Sequence, residues 1–317
     1  MHLPDGYLST KVWIAGWLLS GTGISASLKQ SKKLLEERTV PLMGLLSAFI
    51  FAAQMVNFPV GAGTSGHLLG AALAVILLGL APAIVVMTTV LAVQCFIFQD
   101  GGLTAMGANL FNMAVIGPIT AWAVYRGLRL IPGNGLTGVM IATGLASWCS
   151  VVAASAACAT ELALSGTIKF SLVFPAMTIV HMVIGIAEGV ITCLILGFIW
   201  SVRKDLIIQD RGRIFSPGPA DRRKVVVLFC ILILIVILLS FFSSLLPDGL
   251  EKVAEILGFA RGGSEPSFQA PLADYTWPGL ESVFLSTALA GAAGAMIMVI
   301  VSAGIARLIV HRKRIRH

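Results

Sequence analysis

Charge is what this chain has least of. Only 12% of its 317 residues are Asp, Glu, Lys or Arg and 57% are hydrophobic; a soluble domain carries about 25% charged residues. A water-facing globular surface cannot be built from that composition, so the sequence describes a polytopic membrane protein. The cysteines are few and unpatterned. Cys95, Cys149, Cys158, Cys193 and Cys230 are odd in number, form no CxxC and lie in apolar stretches. That excludes a disulfide framework and reads as small buried hydrophobes. No GxxxxGK[ST] phosphate loop occurs, so the chain is not expected to hydrolyse ATP. The first ten residues contain neither Lys nor Arg. This argues against a signal peptide, although residues 12–24 are apolar and Ser25-Ala26-Ser27 resembles a cleavage site.

Long apolar runs are what is present. A spanning helix needs about 20 mostly apolar residues. Nine candidates are read at 11–29, 40–58, 67–80, 82–99, 109–130, 138–160, 174–200, 224–246 and 282–310, the third of them short. With the N-terminus outside, 18 of the 22 basic residues fall in inner segments. The positive-inside rule then predicts an outer N-terminus, an inner C-terminus and an odd number of spans. The net charge of +7 is therefore topological, and no nucleic-acid partner is expected. The outer segments are acidic, with Asp5, Asp100, Glu161, Asp248, Glu251 and Asp274 among them.

Three parts follow along the chain: a seven-helix block over 1–200, a basic cytoplasmic linker over 201–224 centred on Ser216-Pro217-Gly218-Pro219, and a helical hairpin over 225–317. The hairpin carries a long outer loop that contains Pro247-Asp248-Gly249-Leu250-Glu251, a turn signal followed by helical spacing. Loops of this length are usually functional or disordered.

The chemistry sits at the start, Met1-His2-Leu3-Pro4-Asp5-Gly6. Where the chain begins at Met1, its amine, the Met1–His2 peptide nitrogen and the His2 imidazole can close five- and six-membered chelate rings on one metal ion. Three nitrogens leave one planar position open, and a planar nitrogen set suits Ni(II) or Cu(II). His67 follows the Gly-rich outer loop Asn57-Phe58-Pro59 to Gly66 and stands on the same side as Met1, so its imidazole can supply the fourth nitrogen. His181 and Glu188 share one face of the seventh span. An intramembrane carboxylate reads as functional; Glu188 is a candidate to orient a ligand histidine or to bind a partner subunit, against the plainer reading of a buried polar pair that packs helices. Gln94, Asn109 and Asn112 form another polar cluster, able to hydrogen-bond between helices or steady a loop from below.

Together these stretches resemble the membrane substrate-binding component of nickel/cobalt energy-coupling-factor transporters. The likeness rests on Met1 to Gly6, the Asn57–His67 loop, the Gln94 to Asn112-Met113 segment and His181-x-x-Ile184-Gly185-x-x-Glu188, and covers about residues 1–200. Leu3 departs from the family's usual isoleucine. The block from 225 resembles the small companion subunit named for its Pro-Asp-Gly-Leu-Glu signature, here fused.

The resemblance implies an all-α polytopic fold, a seven-helix substrate-binding bundle plus a C-terminal two-helix hairpin. It implies a multi-pass protein of the bacterial or archaeal cell membrane. It also implies Ni2+ or Co2+ as transported substrate with no cofactor, held by the Met1 amine, the His2 amide and imidazole nitrogens, and His67. Asn112, His181 and Glu188 are candidates behind these ligands. The implied partners are a membrane coupling component and cytoplasmic ATP-binding components, with the accessory block assisting metal loading. Both metals fit the motif, and the appended block leans towards nickel.

Two other readings stand beside it. Gly63-Thr64-Ser65-Gly66 fits the GxSG pattern of rhomboid intramembrane proteases, with Ser65 and His181 as nucleophile and base. A self-sufficient metal permease needs no ATPase partners.

Overall fold

The computed structural model describes residues 1–317 except 62, 130–134, 208–221, 242, 245, 264–267 and 315–317. The centre of the linker, Ser216-Pro217-Gly218-Pro219 included, thus lies outside the described residues. Among the described residues the fold is mostly helical, with one small β-hairpin. In chain order the helices are α1 (Thr10–Leu34), α2 (Val40–Met55), α3 (Ala71–Leu78), α4 (Leu80–Phe98), α5 (Met106–Asn109), α6 (Gly117–Arg129), α7 (Leu136–Leu164), α8 (Phe170–Arg203), α9 (Arg222–Ser240), α10 (Gly249–Leu257) and α11 (Val283–Arg314). A π-helical turn, Leu110–Ile116, joins α5 to α6 in one continuous rod. Strands β1 (Phe58–Gly61) and β2 (Thr64–Gly66) pair antiparallel between α2 and α3.

Among the described residues, five helices are long and apolar enough to cross a membrane: Leu80–Phe98, Met106–Arg129, Leu136–Leu164, Phe170–Leu206 and Val283–His311. This is an all-α polytopic membrane protein. The predicted span at 67–80 is corrected. Its helix has only eight residues, all buried, and at 1.5 Å per residue is about 12 Å long. Gly79, at φ 81°, breaks the apolar run between α3 and α4, a conformation that costs other residues a Cβ clash. Ahead of α3, residues Leu68–Gly70 carry no regular structure. Irregular backbone survives inside a membrane protein only where protein groups satisfy it, and those groups lie at the site described below.

α7 and α8 pack along one another, as do α6 and α7. α11 lies along α2 and also touches α9, so the C-terminal hairpin is applied directly to the first block. Its connecting segment sends α10 across to α8 and β2. α10 begins with a complete capping box. The Asp248 side chain accepts the Glu251 N–H at 2.8 Å, and the Glu251 carboxylate accepts the Asp248 N–H at 2.9 Å. Satisfying these otherwise orphaned donors is what lets a nine-residue helix start cleanly.

Candidate functional site

The N-terminal segment is not a loose tail. Met1, Leu3, Asp5 and Tyr7 are all buried, Leu3 completely. Leu3 is held on both backbone groups by one amide: its N–H donates to Asn109 Oδ1 at 2.8 Å, and Asn109 Nδ2 donates back to its carbonyl at 3.0 Å. The Gly102 N–H adds a third bond to that carbonyl at 2.8 Å. The Asp5 carboxylate accepts the N–H groups of Leu103 and Thr104 at 3.2 and 2.8 Å and the Thr104 hydroxyl at 2.5 Å, just ahead of α5. Thr167 Oγ1 donates to the Tyr7 carbonyl at 2.5 Å. These bonds draw the terminus into the bundle.

The result brings Met1, His2 and His67 together. The Met1 amine lies 3.3 Å from His67 Nε2. The His2 and His67 rings stack at 5.4 Å between centroids, 28° apart. His67 Nδ1 is 3.3 Å from the Leu68 carbonyl, which leaves Nε2 towards the amine. Neighbouring corners of a square of nitrogens, at metal–nitrogen distances near those of a Zn–imidazole bond, lie about 2.8 Å apart. The amine and His67 are thus within a small adjustment of a shared coordination edge. His2 Nδ1 sits 3.0 Å from Asp100 Oδ1, and its Nε2 is buried with no partner among the described residues. No three His, Cys, Asp or Glu side chains converge on a metal position among the described residues. A metal here needs backbone nitrogen.

Electrostatics favour neutral imidazoles and a charged amine. Burial disfavours the ammonium, but the adjacent Asp248 carboxylate, with Asp100 behind it, outweighs this and holds the Met1 amine above its ordinary pKa. Asp248 itself, despite burial, is held well below the usual carboxylate range by that ammonium and by His67. Burial lowers His2 against the pull of Asp100. Burial and the ammonium lower His67, which precedes α3, to about 3.

Glu188 does not bond to the His2 or His67 ring or to His181. Its carboxylate accepts the Leu69 and Gly70 N–H groups at 2.6 and 3.1 Å and the Ser147 hydroxyl at 3.3 Å. It therefore caps α3 from a neighbouring helix, two residues after His67. Gln54 Nε2 completes the support by donating to the Leu69 carbonyl at 2.7 Å. His181 Nδ1 donates to the Met177 carbonyl at 2.7 Å. Its ring faces a cavity of about 20 Å³ shared with Met1, His67, Glu188 and Asp248. Asn112 Nδ2 donates to Glu161 at 2.6 Å, so the amide that reaches the terminus is Asn109. Ser65 Oγ donates to the carbonyls of Leu246 and Pro247 at 2.7 and 3.2 Å, and it is not hydrogen-bonded to His181. A serine–histidine dyad is thus not assembled among the described residues.

Sequence reasoning assigned no role at the site to Asp248, Asp100, Gln54 and Tyr275, and gave Asn109 only as an amide able to bond between helices or steady a loop. Asp248 and Asp100 were legible as acidic residues of the outer segments, Asp248 also as part of a turn. Asn109 shared its helical face with Asn112.

Comparison with known proteins adds the family. Residues 2–206 match the family model described as CbiM, cobalt uptake substrate-specific transmembrane region, and residues 222–311 match the PDGLE domain. The chain is 32% identical over 300 residues to a putative fused nickel transport protein NikMN of Archaeoglobus fulgidus, covering 94% of this chain and 95% of that one. It is 32% identical over 230 residues to the fused nickel transport protein NikMN of Rhodobacter capsulatus, covering 67% and 65%. A crystal structure of a transition metal transporter superposes with a TM-score of 0.58 at 31% identity, covering 64% of this chain and 94% of that one. Fold and relatives together define a multi-pass membrane protein of metal uptake. The chain belongs to the CbiM family, with a PDGLE domain following in the same polypeptide.

Proposed function

We propose that this protein captures a divalent transition metal ion, Ni2+ or Co2+, outside the cell and delivers it inward as the substrate-specific component of an ATP-driven energy-coupling-factor transporter. The Met1 amine, the His2 amide and imidazole nitrogens and His67 Nε2 are its ligands. The observation that carries this is the buried terminus, whose amine faces His67 at 3.3 Å with the His2 ring stacked beside it. Four nitrogens disfavour Mg(II) and Ca(II), which want oxygen. A planar set and a full-length nickel-transport relative lean towards nickel. Residues 1–200 form the capture unit, 201–224 a cytoplasmic linker, and 225–317 an accessory unit that assists loading. The protein lies in a bacterial or archaeal cell membrane with its terminus outside, and it works with a membrane coupling component and cytoplasmic ATP-binding components.

Uptake tests the coupling. Cells that express the chain with those components are expected to accumulate nickel or cobalt, and cells that express it alone are not. Equal uptake by both would establish a self-sufficient permease instead.

Coordination requires the Met1 amine to lose its proton and the peptide nitrogen to lose another. Because the amine is held above its ordinary value, protons compete across the whole neutral range. Apparent affinity should therefore rise with pH, by about tenfold per unit for each proton released. Ni(II) titrations between pH 6 and 8 check this, and a flat profile would exclude the amine as a ligand.

A further inference from the structure

We propose that Asp248, from the PDGLE block, is a positioning residue for the Met1 amine. The inference rests on the nitrogen site proposed above and names what that block contributes to it.

Asp248 is rigidly aimed. One carboxylate oxygen is occupied by the Glu251 N–H of the capping box, and the other meets the Met1 amine. The helix behind it is seated. Leu250, Val253 and Ala254 are buried in one apolar cluster with Leu3, Val173 and Met177. The Ser65 N–H donates to the Pro247 carbonyl at 2.9 Å. Gly249 lies so close to His181 that a Cβ there would stand 2.8 Å from the ring. An amine keeps two hydrogens after it binds a metal, so the bond to Asp248 survives coordination while the third position turns to the ion. A carboxylate behind a metal ligand commonly acts this way.

The His2 ring is a separate case. Asp100 Oδ1 lies 3.0 Å from His2 Nδ1, and the Tyr275 hydroxyl donates to Asp100 Oδ2 at 2.6 Å. Nδ1 is the nitrogen that closes the six-membered chelate ring, so this contact gives way when the ion binds and Tyr275 has no positioning role. A free terminus is normally the least ordered part of a protein. Ordering it before the ion arrives removes that cost from binding.

The test uses the full chain beginning at Met1, as wild type and Asp248→Asn. Each is titrated with Ni(II) alone while the visible absorption of the nitrogen complex is followed. Asparagine caps a helix as well as aspartate does, so the variant should fold. It is expected to lose about ten- to hundredfold in affinity, yet to reach the wild-type absorption band at saturation. If wild type binds and the variant matches it within about twofold, on the tenfold scale expected of such contacts, the positioning role is overturned and the nitrogen site stands. A wild type that binds no Ni(II) overturns the site itself, and this inference with it.

Discussion

One residue added ahead of Met1 is expected to lower Ni(II) affinity by about a thousandfold or more, equivalent to about 4 kcal/mol, and to leave the fold intact. The insertion turns the Met1 amine into an ordinary peptide nitrogen and carries the free amine a full residue, about 3.8 Å, further out. The five-membered ring can then no longer be closed by an amine at Met1. The buried Met1 position has no room for an extra residue, since Met1 is only 6% exposed and its amine faces both His67 and Asp248. The anchors of the segment begin at Leu3 and Asp5, so the bundle should not notice the change. Calorimetric titration and metal content of the purified proteins read the effect. Acetylation of the amine repeats the test with almost no added length and should give the same loss. Equal binding by all three forms would put the metal somewhere other than this terminus.

That His2 and His67 come together near the amine was legible from position, one histidine next to the amine and the other after a glycine-rich loop on the same side. The residues that hold them were harder to find, and for identifiable reasons. Asn109 and Asn112 share a helical face, so no pattern says which of them reaches Leu3 and which reaches Glu161. His181 and Glu188 also share a face, but seven residues separate them by about 10 Å along the axis. In the fold one bonds its own helix and the other caps α3. The Met1–Asp248 contact joins residues 247 positions apart, a pairing that no local spacing encodes. The short α3 was mistaken for a span because hydropathy runs through Gly79 unchanged, and only the glycine's left-handed backbone marks the break. Helical class and membrane insertion, by contrast, were set by composition.

Glu188→Ala should cost about 2–6 kcal/mol of stability and weaken metal binding as a consequence. The carboxylate is wholly buried and satisfies two backbone N–H groups, those of Leu69 and Gly70. Each buried donor left without a partner costs about 1–3 kcal/mol, and at this depth no water replaces the lost acceptor. Gly70 has no side chain with which to cap α3, so nothing local takes over. The irregular Leu68–Gly70 stretch would then shift, and His67 is its immediate neighbour. Glu188→Gln keeps one carbonyl oxygen but turns an amide N–H₂ towards the other donor, so about half the loss is expected on the same per-bond scale. Thermal unfolding in detergent, with and without Ni(II), orders the three proteins as wild type, Gln, Ala. Affinity should follow the same order, because the carboxylate acts on the backbone that presents His67. An alanine variant that melts with the wild type yet fails to bind Ni(II) would place Glu188 on the ion itself, and the capping role would be wrong.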